Sequence, residues 1–547
     1  MKGRNLIMVL SLLLGFLPGM RAQEDAVRAA LYLTGASDPE SLDGSMLERL
    51  ESFRHRPLRI NTDKRSRLLG SGLLTAYQVA SLEAYRRSSG DVLSLAELAL
   101  VDGFGQEAAD ALGPFLSFAS PLHAGEAAVD TLRYSHAFLL RLLPDGAGVK
   151  YTGDDSRREW ALTVRKRAGT AWTGGGYLIL PLRNSRFILG HFHLRYGQGI
   201  DRWTGFRLST LPEAGKFSWR GNGLIPTGSY SGAEACKGLG WERLFGPLRL
   251  QAWLSRDAST AVSGGANLAW FLPAGRLSAT FHGGGKERLG GSLEGVWNHR
   301  GAEYFGELAF RPLQKAAAGT LGFTFRTGEH WTISAQGRML PSRYTAKKNG
   351  EYALLTGAVY AGTGRLQRIS GTVEAALLPI PGVDPWRSRV KTVLYWQAQL
   401  NPACTSVVRF SGKAGDDSRA DLRWEVTRND GRTFARMRLN GVRSSGWGFL
   451  AYAEGGLLRE RWSSYLRCTA FRAGQWADRL YCYERDAPGN FSVSAYYGTG
   501  MALAATGGWK WQLKRCRIRL YGRAYALFRK EKPGDAGLKG QVTVSLP

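Results

Sequence analysis

The sequence predicts a large antiparallel transmembrane β-barrel preceded by a small helical domain, and three observations carry that prediction. First, Arg515, Arg517, Arg519 and Arg523 fall on one parity of residues 514–525, while Cys516, Ile518, Leu520, Gly522 and Ala524 fall on the other; this is the period of a strand and not of a helix. Second, the same alternation recurs along most of the chain with no helical pattern between its instances. Third, Gly (70), Trp (17), Tyr (21) and Phe (23) are abundant and Pro (20) is sparse, a composition suited to strands, tight turns and interfacial aromatic girdles.

The elements follow in chain order. Lys2 and Arg4 precede an apolar stretch from Leu6 to Leu17, followed by Pro18-Gly19-Met20-Arg21-Ala22 and acidic Glu24-Asp25, so residues 1–22 read as a secretory signal cut near Ala22. No later run reaches the ~18 apolar residues of a membrane-spanning helix. An exported chain of this kind that enters a membrane crosses it as strands.

Residues 23–120 read as helices. Asp38-Pro39 supplies an N-cap and a proline at the first helical position, and Leu42, Met46, Leu50 and Phe53 form an apolar stripe that Pro57 ends. Two similar helix–turn–helix units follow, with turns at Leu69-Gly70-Ser71-Gly72 and Asp102-Gly103-Phe104-Gly105. Ser94 and Glu97 have capping-box spacing at the start of the second unit.

Ile60-Asn61-Thr62, Ala84-Tyr85-Arg86, Leu95 with Leu98, Val101-Asp102-Gly103-Phe104-Gly105 and Leu112 resemble the tandem helix-hairpin-helix domain of competence DNA receptors, over about residues 58–118. In that family a Gly-hydrophobe-Gly hairpin presents backbone N–H groups to a DNA phosphate, so the resemblance implies phosphate contacts at Gly103, Phe104 and Gly105. The first hairpin, Gly72-Leu73-Leu74-Thr75, lacks that glycine pair, and Gly72 is its remaining candidate. Arg86 and Arg87, with Arg65 and Arg67, supply a local basic patch. A protein-docking or spacer role is the alternative, because the domain carries ten Lys and Arg against fourteen Asp and Glu, whereas affinity for DNA comes largely from neutralising phosphates.

Residues 121–547 read as the barrel. Leu321, Phe323 and Phe325 alternate with Gly322, Thr324 and Arg326, and Trp331, Ile333 and Ala335 with Thr332, Ser334 and Gln336, a hairpin with one apolar face. A second hairpin sets Leu422, Trp424 and Val426 against Arg423, Glu425 and Thr427. It turns at Asn429-Asp430-Gly431 and returns with Ala435, Met437 and Leu439 against Arg436 and Arg438. About 427 residues at ~10 per strand plus connections give roughly 14 to 18 strands. A soluble β-sandwich or propeller is the alternative; the size of the region and the lack of a fixed repeat of ~40–50 residues weigh against it. Residues 194–206 and 483–500 break the alternation with clustered glycines and read as bulges or barrel corners, a ligand site being the alternative. Together with the hairpins they resemble a family of outer-membrane proteins that carry helix-hairpin-helix repeats before a barrel.

The net charge of +28 lies wholly in this second part, which holds sixty basic against thirty-one acidic residues. The inward parity, with Arg436, Arg438, Arg515, Arg517, Arg519 and Arg523, is expected to form a basic lumen and to keep anionic company. Candidate partners are outer-membrane lipid and lipopolysaccharide, DNA, and an envelope protein; the helical domain is expected in the periplasm. Five cysteines show no metal-site spacing. His191 and His193 share a strand face without an apparent third ligand, and Asp154-Asp155 and Asp416-Asp417 read as solvated loop charge. No nucleophile elbow, Walker loop or zinc-protease motif occurs, so no catalytic residue, cofactor or metal is assigned.

Overall fold

A computed structural model describes residues 22–120, 136–155, 158–230, 234–256, 261–284, 289–345, 350–362, 364–380, 383–530 and 534–547. The expected signal segment lies outside the described residues. The helical domain contains α1 (Ala22–Thr34), α2 (Gly44–His55), α3 (Arg65–Gly70), α4 (Ala76–Ser88), α5 (Leu95–Leu100) and α6 (Gly105–Leu112). Asp38 and Pro39 open only a 3-10 turn, Pro39–Ser41, and Asp43 caps α2 by accepting from the Ser45 amide at 3.2 Å. The chain kinks at Leu42 because each short acid caps its own turn.

The two helix–turn–helix units are α3–α4 and α5–α6. A full capping box, Thr75 with Gln78, opens α4, and the Ser94 hydroxyl accepts from the Glu97 amide at 3.2 Å at the start of α5. Asn61, from the motif that opens the pair, is 2% exposed. Its side-chain amide donates to the carbonyls of Val92 (2.9 Å) and Phe118 (3.2 Å) and accepts from the Val92 amide at 3.0 Å. Leu58–Arg59 pairs in parallel with Leu116–Ser117, closing the domain end to end.

The wall is a closed barrel of 24 antiparallel strands among the described residues, running from His136–Leu143 round to Asp535–Leu546, whose Leu546 sits opposite His136. This exceeds the expected 14 to 18. Many connections on one rim are minimal (residues 183–184, 246–247, 273–274, 300–301 and 402–403), so chain length goes into strands and not into loops. The Asn429–Thr433 turn is of this sort: the Asp430 carboxylate accepts from the amides of Arg432 at 2.8 Å and Thr433 at 2.6 Å. Both ends of the barrel chain share this short-turn rim. The opposite rim carries longer connections, and two of them, described over residues 196–230 and 474–497, turn into the lumen.

Side-chain parity divides the wall as expected. Leu321 is 74% exposed and Leu422 55%, while their neighbours Thr320 and Arg423 are 7% and 8% exposed. Trp297 pairs with Tyr304, Tyr304 with Phe323, and Trp331 with Tyr360, a row of outward aromatics near the short-turn rim. An apolar exterior edged by aromatics is the surface a barrel presents to a bilayer.

The lumen is filled from within. A barrel of more than about 16 strands encloses a space that side chains alone do not close, and here the helical domain occupies it. The core of that domain is continuous with Ala269 and Phe271 of the wall and Tyr483 of the inner hairpin Leu480–Glu484/Ser492–Tyr496. This differs from a domain standing in the periplasm. The reason is electrostatic: an acidic domain meets a basic cavity, and each supplies the counter-charge of the other.

Candidate functional site

The site is the contact surface between helical domain and lumen. Glu40, in the 3-10 turn, accepts from Arg438 at 2.5 Å, Arg423 at 2.9 Å and the Tyr483 amide at 3.0 Å. Asp38 pairs with Arg409 at 2.6 Å, and Arg409 also donates to the Ser37 hydroxyl at 2.9 Å. From α2, Glu51 takes Arg519 at 2.5 Å and Glu48 takes Lys150 at 3.3 Å. Glu24 of α1 takes Arg485 at 2.6 Å, and Glu107 of α6 takes Arg368 at 3.3 Å. Two pairs run the other way, Arg56 to Glu159 at 3.8 Å and Arg67 to Asp154 at 3.4 Å. Asp154, expected as solvated loop charge, is therefore a lumenal acid of this interface.

These pairs are desolvated. Burial opposes ionisation of Glu40, yet the Arg423 and Arg438 guanidiniums, with the donors of Arg438 and Tyr483, outweigh it and hold the carboxyl well below the usual carboxylate range. At Glu107 burial is likewise outweighed by Lys216 and Arg368. His55 is pushed well below its ordinary value by burial and by the surrounding arginines, Arg519 first among them, so it sits neutral against the Ser545 hydroxyl at 2.9 Å. Loss of either partner of such a pair leaves a buried charge.

The inward segment 196–230 continues the seal. Gly197 takes a left-handed φ of +67°, and a Cβ there would collide with the Glu307 carboxyl carbon. That close approach lets Glu307 accept from the amides of Gln198 at 2.6 Å and Ile200 at 3.0 Å. Asp201 then meets His282 at 2.8 Å and the Tyr344 hydroxyl at 3.0 Å. The segment reaches the helical domain through Arg220, which donates to the Leu73 carbonyl at 2.8 Å, and Lys216, whose ammonium lies 3.6 Å from the centre of the Tyr32 ring. Neither this segment nor 474–497 is a bulge or corner; their glycines serve chains folded into the lumen.

The sequence-predicted residues separate into groups. Arg438 and Arg519 hold the helical domain; Arg523 binds Glu484 of the inner hairpin, and Arg436 lies 3.5 Å from Glu425 across the wall. Arg517 begins its strand, half-buried, but Arg515 is exposed in the 513–516 turn and leaves the ladder, because the Leu513 amide closes that turn on the Cys516 carbonyl at 2.8 Å. Gly103 and Gly105 both have positive φ; the first packs beneath the Tyr77 ring and the second faces open space. Phe104 is buried in the domain core. Arg86 pairs with Asp91 at 3.4 Å and exposed Arg87 donates to the Glu83 carbonyl. Gly72 lies against Arg49 and Asn222, inside the lumen. His191 contacts Gly176 and His193 contacts Thr204, and no group of three metal-ligating residues occurs among the described residues. The acids Asp38, Glu40, Glu48 and Glu51 were not foreseen as site residues. The opposite charges of the two parts of the chain are a signal that could have found them.

No protein-family model matches the sequence, and no curated protein matches it. Among solved structures the chain is similar to the E. coli P pilus tip assembly intermediate, at TM-score 0.44 and 9% identity over 76% of this chain and 62% of that one. The chain thus spans less than two thirds of that neighbour's length. It is also similar to the FrpB iron transporter of Neisseria meningitidis (TM-score 0.38, 6% identity, 76% and 81% covered) and to OccK3 of Pseudomonas aeruginosa (TM-score 0.25, 10% identity, 75% and 93% covered). At these scores the likeness carries nothing about what this chain does.

Proposed function

We propose that the protein is a non-enzymatic outer-membrane barrel whose lumen is a gated passage for an anionic polymer, its own acidic helical domain acting as the plug. The short-turn rim faces the periplasm, and the apolar exterior meets outer-membrane lipid and lipopolysaccharide. The observation that supports this reading is the Glu40 site, where one carboxylate holds two lumenal arginines that an arriving polyanion would otherwise engage. Plug and cargo compete for the same charges, so cargo shifts the docked domain by mass action. DNA is the cargo that the paired hairpins favour, with backbone amides near Gly103 and Gly105 as its phosphate contacts.

A second reading, in which the small domain docks an envelope protein and the barrel anchors it, is favoured by Leu100, 81% exposed at the end of α5, with Leu93 and Leu95 also exposed beside it. Planar-bilayer recordings separate the two. On the gating reading, short duplex DNA added at low salt raises the frequency of openings, a polycation of equal length does not, and the effect fades as salt rises. DNA without effect at low salt counts against the gate and leaves the docking reading.

A further inference from the structure

Between the first hairpin and the wall lies a cavity of about 100 Å³, lined by Ser71, Gly72 and Leu73 on one side and by His193 and Arg195 on the other, with Arg49 of α2 across it. At about 30 Å³ per water molecule, it has room for roughly three waters or one tetrahedral oxyanion. Several charges at its edge are already paired: Lys150 with Glu48, Arg56 with Glu159, and Arg67 with Asp154. Two are not matched in this way. Arg49 donates to the carbonyls of Ser71 (2.8 Å), Gly70 (2.8 Å) and Pro226 (3.3 Å), neutral acceptors that leave two of its five N–H donors unused, and the acid whose field reaches it, Glu159, is itself paired with Arg56. The side chain of Arg195 makes no ion pair or hydrogen bond among the described residues. Its guanidinium lies 5.6 Å from the centre of the Trp203 ring, and its Nε is buried without a partner. The acid whose field reaches Arg195 is Asp43, which is engaged in capping α2. His193, 7% exposed, has Nδ1 3.4 Å from the Thr204 hydroxyl.

We propose that Arg49 and Arg195, with His193, bind one free tetrahedral oxyanion of the inorganic phosphate class in this cavity, clamping the first hairpin to the wall. Two guanidiniums without an ion-pair partner line this partly open cavity, whose carboxylates, Glu48 and Glu159, are engaged by Lys150 and Arg56, and they carry a desolvation cost that a small dianion relieves. The guanidinium fork matches the oxygen spacing of a tetrahedral anion. The site is independent of what the barrel transports, since it belongs to the plugged state.

The test is calorimetric titration of the full-length protein in detergent, in phosphate-free buffer at constant ionic strength. Inorganic phosphate is expected to bind at about one per chain and chloride not at all. Arg195→Gln is expected to weaken phosphate at least about tenfold, one charge-assisted hydrogen bond's worth, while Arg428→Gln on the exposed rim leaves it unchanged. Should Arg195→Gln misfold, Arg195→Lys, which keeps charge but loses the fork, is expected to weaken binding in the same direction. Absence of phosphate binding to the parent, equal binding of chloride, or equal affinity in a folded Arg195 variant overturns the proposal. Binding that requires a phospholipid and is not given by inorganic phosphate overturns the free-anion assignment.

Discussion

Replacing Glu40 by Gln keeps the shape of the side chain and removes its charge. In the docked domain that side chain is 6% exposed and held by Arg438, Arg423 and the Tyr483 amide. The amide can still accept from one arginine, but two guanidiniums then face each other in a desolvated pocket with no anion between them. Removing one partner of a buried pair costs about 3–5 kcal/mol. Surface screening gives little relief, since the arginine side chains are 2% and 10% exposed. At about 1.4 kcal/mol per decade, the undocked fraction is expected to rise by roughly 140- to 4000-fold. Ser545, covered in the docked state by His55 and 1% exposed, reports it. With Ser545→Cys in a background lacking the five native cysteines, labelling by a charged thiol reagent should accelerate by that factor in Glu40→Gln. Glu83→Gln is the control, because Glu83 meets Arg65 at 3.7 Å on a partly exposed surface of the domain, where a pair contributes under about 1 kcal/mol. Labelling of the Glu40 variant within threefold of the parent refutes the electrostatic latch.

Two further outcomes follow from the same contacts. His55 has a docked-state pKa well below 6.5, so the undocked domain takes up its proton first; docking is fully supported above about pH 6.5 and weakens as pH falls below it. Glu40 and Glu107, depressed from 4.5, add a second loss as pH falls below about 4.5. Opening frequency in bilayers should therefore rise in two acid steps, and His55→Gln should remove the first; a rise toward alkaline pH contradicts the sign. Gly197→Ala places a Cβ against the Glu307 carboxylate and strains a left-handed residue, at a cost of about 1–3 kcal/mol. Faster proteolysis within residues 196–230, with the barrel still resistant, is the expected result, and unchanged protection counts against the Glu307 clasp.

Much of this architecture was legible in the sequence, because period-two alternation is a local property. The outward faces of Leu321–Phe325 and Leu422–Val426 and the turn at Asp430 follow from neighbouring residues alone. So do the two helix–turn–helix units, whose punctuation by Gly72 and Gly103-Phe104-Gly105 is local too. Strand number was not legible, since it depends on how little chain each connection uses, and turns such as Arg183-Asn184 carry no signature distinct from the strands they join. The position of the helical domain depends on contacts between distant parts of the chain. Glu40 meets Arg438 and Glu51 meets Arg519 across most of its length, and nothing local marks those acids as partners. The opposed net charges of the two parts are the one sequence feature consistent with their contact. In the arginine ladder, the charges of Arg519 and Arg523 are met by Glu51 of the helical domain and Glu484 of the inner hairpin and do not line a free pore.

On this reading the helical domain closes a wide basic barrel. Bilayer conductance of the full-length protein beside a variant lacking residues 23–118 tests it most directly. A plugged lumen predicts a quiet full-length protein and, on deletion, a pore that prefers anions, with the preference falling when Arg438 and Arg519 become glutamine and when salt is raised. Equal conductance with and without the domain, or a cation-selective pore after its removal, would contradict the account.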